Sequence, residues 1–420
     1  MMNERTDPAV ERVNEAIRHL AAGHMILVRD DAGRENEGDL VVAADRCRPE
    51  HIAFMARNGR GLICQSIPAE SAVRLGLPPQ APVNTEAQGT AFTVSVDAVE
   101  GVTTGISAAD RARTVAVLVD PRATAPDLRR PGHVFPLVAR PGGVLERPGH
   151  TEASADLARL AGFSASGVIC EVLNDDGTMA RGPQLEELAR RWGMPLLSVA
   201  DLVEYRRLTG DFSLEQTPTV DLPTDSGAFR VTAYRTGDPR CRDALLLEPA
   251  WQTEPAPTGC DDGTPAPLVR LHSECLTGEA LGSRRCECGP QLDAAMRAVQ
   301  NEGGAIVYLR QEGRGIGLFE KLRAYALQDD GFDTVDANTV LGHPADDRHY
   351  GVAARILRER GYRAVRLMTN NPDKVNTLRA AGVAVVEQVP LHVGWTAENA
   401  GYMETKIRRM GHIARKEFAG

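Results

Sequence analysis

"TGDFSLEQTPTVDLPTD", residues 209–225, is the stretch on which the fold turns. It is polar and carries two prolines. It shows neither the 3.6-residue period of a helix nor the alternation of a strand. Read as a boundary, it gives a domain at 1–208, a short polar linker at 209–222 and a domain at 223–420. Each flanking part is long enough to enclose its own core, since ordinary domains run to about 100–200 residues.

Working outward, residues 8–23 space Val10, Val13, Ile17 and Leu20 as one helical face ending near Gly23. "MILVRD" (25–30) and "DLVVAAD" (39–45) read as strands around a polar loop, and "TAFTVSVDA" (90–98) alternates as a strand. Ser107 is a helix N-cap candidate; 151–163 and 184–193 are amphipathic helices. Beyond the boundary, 304–310, 364–369 and 383–390 read as strands, with helices at 349–361 and 371–382. The proline-rich stretch 249–267 reads as a surface loop. Neither half keeps a regular βαβ rhythm, so the expected class is α+β, two mixed α/β domains.

Bulk composition narrows the function classes. Apolar residues make up 42% and charged residues 25% of 420, as in water-soluble globular chains. A net charge of −9 does not favour nucleic acid as a partner. The charged N-terminus lacks a signal-peptide core, and no apolar run approaches the ~20 residues of a membrane helix. A cytoplasmic protein without membrane contact is expected. Five scattered cysteines, Cys47, Cys64, Cys170, Cys241 and Cys260, then read as reduced thiols. Only four of the 48 basic residues are lysine: Lys321, Lys374, Lys406 and Lys416.

The second half carries "HSECLTGEALGSRRCECG" (272–289), with Cys275, Cys286 and Cys288 spaced C-x10-C-x-C. Gly289 permits the tight turn of the last pair. No second C-x2-C knuckle follows, as a structural zinc finger needs; three thiolates leave a fourth position for water, the pattern of a catalytic zinc. His272 could be a further ligand or a substrate contact. The competing readings are incidental buried thiols, or a zinc-dependent nucleic-acid module, which the missing knuckle and the net charge oppose. "QEGRGIG" (311–317) is a glycine-rich loop before a helix, suited to phosphate. "PADDRHYG" (344–351) holds Asp346 and Arg348, and "TNNPDK" (369–374) holds Lys374.

These motifs, in this order with "LRAYALQ", resemble GTP cyclohydrolase II across residues 223–412. The resemblance implies hydrolysis of GTP to 2,5-diamino-6-(5-phosphoribosylamino)pyrimidin-4(3H)-one, formate and pyrophosphate. It implies about one zinc per chain on Cys275, Cys286 and Cys288. It implies GTP contacts from Arg270, Leu271, His272, Ser273, Glu274, Gln291, Glu312, Gly313, Arg314, Thr334, Thr369 and Lys374. Asp346 would accept a proton, Arg348 would act at the α-phosphate, and Tyr325 matches a family tyrosine. Departures are the proline-rich stretch and Glu320, where asparagine is common.

In the first half "DDAGRENEGDL" (30–40) packs Asp30, Asp31, Glu35, Glu37 and Asp39 between two strands. Such density suits a hard cation with a phosphorylated substrate, or else an acidic hairpin. "RPGHVFPL" (130–137) and "RPGHTEAS" (147–154) each present a histidine after Pro-Gly. "VTTGISAADRA" (102–112) offers hydroxyls, amides and a helix start, and Glu171 interrupts an apolar strand. Across residues 8–207 these motifs resemble 3,4-dihydroxy-2-butanone 4-phosphate synthase. The resemblance implies conversion of D-ribulose 5-phosphate to L-3,4-dihydroxy-2-butanone 4-phosphate and formate. It implies Mg²⁺ or Mn²⁺, about two ions per site, with Glu35 and His150 as ligands. Arg34, Glu35, Asp39, Arg147, Pro148, Gly149, His150, Thr151 and Glu171 would bind substrate, and His133 and Glu171 would be essential. Ala32 and Gly33 replace two acidic residues usual in the loop, so a first half serving only as a scaffold is the alternative. Both families imply a homodimer, and both products feed riboflavin.

Overall fold

The computed structural model describes residues 8–252 and 265–413. They belong to two compact units, Met1–Arg206 and Arg207–Gly420. Each is built on one mixed sheet, as the expected class requires.

The first unit runs α1 (Pro8–Ala21), β1 (Ile26–Arg29), β2 (Gly38–Ala43), α2 (Pro49–Phe54), β3 (Cys64–Ile67), α3 (Ala69–Arg74), β4 (Val96–Ala98), α4 (Ala108–Val119), β5 (Leu128–Val138), α5 (His150–Leu160), β6 (Gly167–Glu171), α6 (Gly182–Trp192), β7 (Leu196–Ser198) and α7 (Val199–Thr209). The strand order is β4-β5-β3-β6-β2-β1-β7. Both faces of this sheet are covered. Leu40, Val42, Val168 and Cys170 enter one apolar cluster, while Val41, Ile169 and Cys64 enter another beneath α1 and α5. Alternate residues of β2 are therefore buried on opposite faces, and the strand reads as a continuous apolar run.

Two expectations change here. The strand expected over 90–98 is regular only at Val96–Ala98, with isolated bridges at Thr93 and Phe92. Its partner segment contains Pro136, which has no N–H to continue the ladder; Thr93 N–H instead donates to the Pro136 carbonyl at 3.0 Å. Glu171 ends β6 rather than interrupting it. The Ser107 cap is present, its hydroxyl accepting from Asp110 N–H at 3.1 Å.

The second unit runs β8 (Leu214–Gln216), β9 (Val220–Thr224), β10 (Gly227–Thr236), β11 (Asp243–Pro249), β12 (Leu268–Ser273), α8 (Leu276–Glu279), α9 (Cys288–Glu302), β13 (Gly304–Leu309), α10 (Gly317–Asp329), α11 (Thr334–Val340), α12 (Gly351–Glu359), β14 (Ala364–Met368), α13 (Pro372–Ala380), β15 (Ala384–Val389) and α14 (Ala400–Met410). The order is β15-β14-β12-β13-β11-β10-β8, with β9 also on β10. Phe229, Leu268, Val299 and Ile306 centre the core between sheet and α9.

The polar stretch 209–222 is thus no free linker: β8 and β9 both pair antiparallel with β10. Val220, Asp221, Leu222 and Pro223 are exposed. Backbone pairing at a sheet edge needs no buried face, and Pro218 and Pro223 are tolerated there. Most of the proline-rich stretch lies outside the described residues, as does Cys260. The other scattered cysteines are free thiols.

Candidate active sites

Strand register aligns the first site. Phe135, Cys64, Ile169 and Val41 form one row across β5, β3, β6 and β2. Side chains repeat every second residue, so the next row on that face holds His133, Leu62, Glu171 and Asp39. Asp39 and Glu171 are direct partners, and Leu62 N–H donates to Glu171 Oε2 at 2.7 Å. Gly149 caps α5, whose first residue, His150, is buried over this row. Its Nδ1 lies 3.8 Å from Asp39 Oδ1 and 3.7 Å from Glu35 Oε2.

The β1–β2 loop is tied from within. Asp30, its side chain fully enclosed, accepts from Arg34 (2.9 Å), Glu35 N–H (3.1 Å) and Glu37 N–H (2.9 Å). Arg34 also reaches Glu35 at 2.8 Å. Ala32 and Gly33 sit exposed at the tip, where they remove none of these bonds; the loop gives no support to a scaffold-only first half. Asp30, Glu35 and His150 place ligand atoms within 4.8 Å of one another. Asp39 Oδ1 and His150 Nε2 are buried without hydrogen-bond partners. Burial pushes the Asp39 carboxyl up to about 7 against the pull of His150, with Glu171 and Glu35 adding repulsion. Burial opposes a charged imidazole, yet Asp39 and Glu35 raise His150 to about 9. A buried anionic cluster with orphaned ligand atoms fits a divalent cation.

Around it, Arg147 binds Glu152 (2.6 Å) and Thr90 (2.9 Å). Pro148 is exposed and Thr151 buried. His133 lies on β5, and its Nδ1 meets Asp97 Oδ2 at 2.8 Å while Asp97 Oδ1 accepts His133 N–H at 2.9 Å.

The second site gathers at the carboxyl ends of three adjacent parallel strands, β14, β12 and β13, where open sheets place ligands. From β12 come Ser273, Glu274 and Cys275; from β13, Gln311 to Arg314; from β14, Thr369 to Lys374. Cys275 and Cys286 Sγ lie 3.6 Å apart, and the three thiols fall within 4.8 Å. A Cβ at Gly278 would stand 2.8 Å from Cys286 Sγ, so this glycine keeps the cradle open. Gly289 serves close approach rather than the turn: a Cβ there would meet the Gly278 carbonyl at 2.4 Å. The Cys275 thiol is held far below its ordinary value by hydrogen bonds with Cys286 and Cys288, and further by Lys321. Three clustered thiols suit a soft, tetrahedral metal. His272 is not part of the cluster: its Nε2 meets Glu279 at 2.9 Å and its ring stacks on Tyr308.

A cavity of about 90 Å³ opens on these thiols, lined also by Ser273, Glu274, Glu312, Gly313, Arg314, Tyr325, Thr334 and Arg348. Gly313 and Arg314 take positive φ (64° and 62°). That conformation turns Arg314 toward Thr334 Oγ1, 3.1 Å away. Tyr325 lies 3.5 Å from Thr277 Oγ1 under the Arg285 guanidinium. Arg348 grips Asp346, one bond being 2.8 Å. Burial opposes ionisation of Asp346, but Arg348 outweighs it and holds the carboxyl at about 2. Arg270, Gln291, Thr369 and Lys374 are buried outside the cavity lining. Arg270 donates to Gln291 (2.6 Å) and Met368 O (3.0 Å). Lys374 donates to the carbonyl of Leu271, whose side chain is fully buried, at 2.8 Å. Burial, then Arg270 and Arg348, hold Lys374 well below the usual lysine range.

Sequence reasoning missed Asp97 and Lys321. Lys321 Nζ reaches Cys275 Sγ (3.2 Å), Thr277 (2.9 Å) and Glu312 (2.7 Å). The scarcity of lysine was the signal for it.

Two units, one with a carboxylate cluster beside a histidine and one with a thiol cluster beside arginines, define a two-site enzyme. The family model for 3,4-dihydroxy-2-butanone 4-phosphate synthase matches residues 14–205, and that for GTP cyclohydrolase II matches 215–390. The riboflavin biosynthesis protein RibBA of Aquifex aeolicus is 48% identical over 98% of this chain and 100% of its own. That of Salinispora arenicola is 50% identical over 96% and 93%. A solved two-domain 3,4-dihydroxy-2-butanone 4-phosphate synthase from A. baumannii, RibBX, shares 32% identity, covering 91% of this chain and all of its own, with TM-score 0.60. The chain belongs to the bifunctional riboflavin biosynthesis family that joins a 3,4-dihydroxy-2-butanone 4-phosphate synthase to a GTP cyclohydrolase II. It is a lyase in its first unit and a hydrolase in its second.

Proposed function

We propose that the first unit converts D-ribulose 5-phosphate on Glu35, Asp39, His133, His150 and Glu171, and that the second opens GTP on Cys275, Cys286 and Cys288. The observation that carries the second assignment is the convergence of three thiols, Arg314 and Arg348 on one cavity. Cys275, Cys286 and Cys288 would hold zinc, which would supply Lewis acidity toward the substrate. Arg314 and Arg348, which line the cavity, offset triphosphate charge. Phosphate drawing Arg348 away frees Asp346, and its carboxyl rises toward a range where it accepts a proton. Tyr325 borders the reacting end.

In the first unit, Glu35 and His150 would hold Mg²⁺ or Mn²⁺, which would supply Lewis acidity toward substrate oxygens. Arg34 and Arg147 take the anionic substrate. Asp97 fixes the His133 tautomer with Nδ1 protonated, which leaves Nε2 to accept a proton. Asp97→Asn replaces that acceptor by an amide and is expected to lower turnover of ribulose 5-phosphate by roughly 10²-fold or more, with an altered pH profile. An unchanged profile would remove Asp97 from this role.

The reading includes the cytoplasm as its location and a homodimer as its state; no helix among the described residues is long and apolar enough to cross a membrane. Assay of each reaction on the purified intact chain tests the reading. Formate released from both substrates is expected; formate from neither, with both metals supplied, would sink it.

A further inference from the structure

The C-x-C turn carries an unusual residue between its cysteines. Glu287 is 2% exposed, although it separates two thiol ligands. An unpaired carboxylate there would put a buried charge between two cysteines of the cluster, and burial makes that costly. Its partner comes from α14, the last described helix, which lies beyond the segment matched by the family model for this unit. Lys406 Nζ lies 2.6 Å from Glu287 Oε1 and is itself buried. The same oxygen accepts from Gln291 at 3.3 Å, while Oε2 has no hydrogen-bond partner. Tyr402, one turn earlier on α14, lines the cavity with its ring 4.4 Å from Lys406 Nζ.

The choice of lysine is informative. This chain uses arginine almost everywhere, yet Lys321, Lys374 and Lys406, the lysines among the described residues, are all buried in this unit. Lys321 touches the Cys275 sulfur and Lys406 the residue between the other two sulfurs. A compact ammonium on a flexible stem reaches one enclosed oxygen where a planar guanidinium fork would not fit. The end of α14 is itself pinned, Ile413 N–H donating to Asn370 O at 3.0 Å.

We propose that Lys406 is a positioning residue of the metal site: α14 uses it to hold Glu287, and through Glu287 the Cys286–Cys288 turn, in ligating geometry. This rests on the zinc reading above and adds the C-terminal helix to the site.

The test uses the full chain and zinc itself, with a competing chelator. Lys406→Met is expected to weaken zinc by about 10–100-fold, the usual effect of losing a partner of a metal ligand shell. Cobalt substituted for zinc in the same variant is expected to show a changed thiolate charge-transfer band. Glu287→Gln, which breaks the same ion pair from the other side, is expected to weaken zinc comparably, and the double variant Glu287→Gln with Lys406→Met no further than either single. Unaltered zinc affinity and cobalt spectrum in Lys406→Met would overturn the proposal, and so would a double variant restored to near-normal zinc, which would mark Lys406 as a charge partner only. Should the single variant fail to fold, the folded double variant decides: weakened zinc supports the proposal and near-normal zinc overturns it. If the unaltered chain holds no zinc at its thiols, the underlying reading fails instead.

Discussion

Cys286→Ser is expected to strip zinc from the chain, from about one ion to near none, and to lower GTP hydrolysis by at least ~10³-fold. Ribulose 5-phosphate conversion should continue unchanged. Cys286 Sγ is 3.6 Å from Cys275 Sγ, and Gly278 keeps room between them. A serine hydroxyl is a hard, weakly acidic donor and cannot replace a thiolate on a soft metal. Two thiols would remain, and among the described residues no other His, Cys, Asp or Glu completes the cluster. The loss should therefore be of the metal rather than of the fold, which metal analysis beside circular dichroism separates. The first unit contributes none of these ligands; its own candidate ligand group is Asp30, Glu35 and His150. Full zinc in a folded Cys286→Ser chain would refute the assignment.

How much of this was legible in the sequence depends on distance along the chain. The cysteines, the acidic β1–β2 loop and the Ser107 cap are local patterns, and the structure brings each together as read. The partners that complete the sites are remote: Asp97 meets His133 across strands, Lys321 meets Cys275, and Glu287 meets Lys406 across 119 positions. No period announces such pairs. Edge strands are equally silent. Residues 214–216 and 220–224 are polar and proline-bearing, so composition reads as a linker, yet backbone pairing with β10 needs no apolar face. At 90–95 the error ran the other way: the alternation is that of a strand, but the proline opposite breaks the ladder.

Chelation should act on the first unit as Cys286→Ser acts on the second, and there it should be reversible. Excess EDTA is expected to cut ribulose 5-phosphate turnover by at least ~10³-fold, with added Mg²⁺ restoring it. The physical reason is the row that strand register builds. Asp39 and Glu171 face one another across β2 and β6, and Glu35 and His150 close over them. Asp39 Oδ1 and His150 Nε2 are enclosed there without hydrogen-bond partners. Oxygen ligands hold Mg²⁺ loosely and leave it waters, so a chelator can remove it from solution equilibrium. Glu35→Gln keeps the side-chain volume and the loop bonds that Asp30 makes to the backbone, but it removes one anionic ligand. Its turnover should fall comparably and should not return at ordinary Mg²⁺, while GTP hydrolysis by the same chain stays intact. Undiminished turnover in EDTA, or in Glu35→Gln, would show that this carboxylate row works without a metal, and the cation assignment would have to be abandoned.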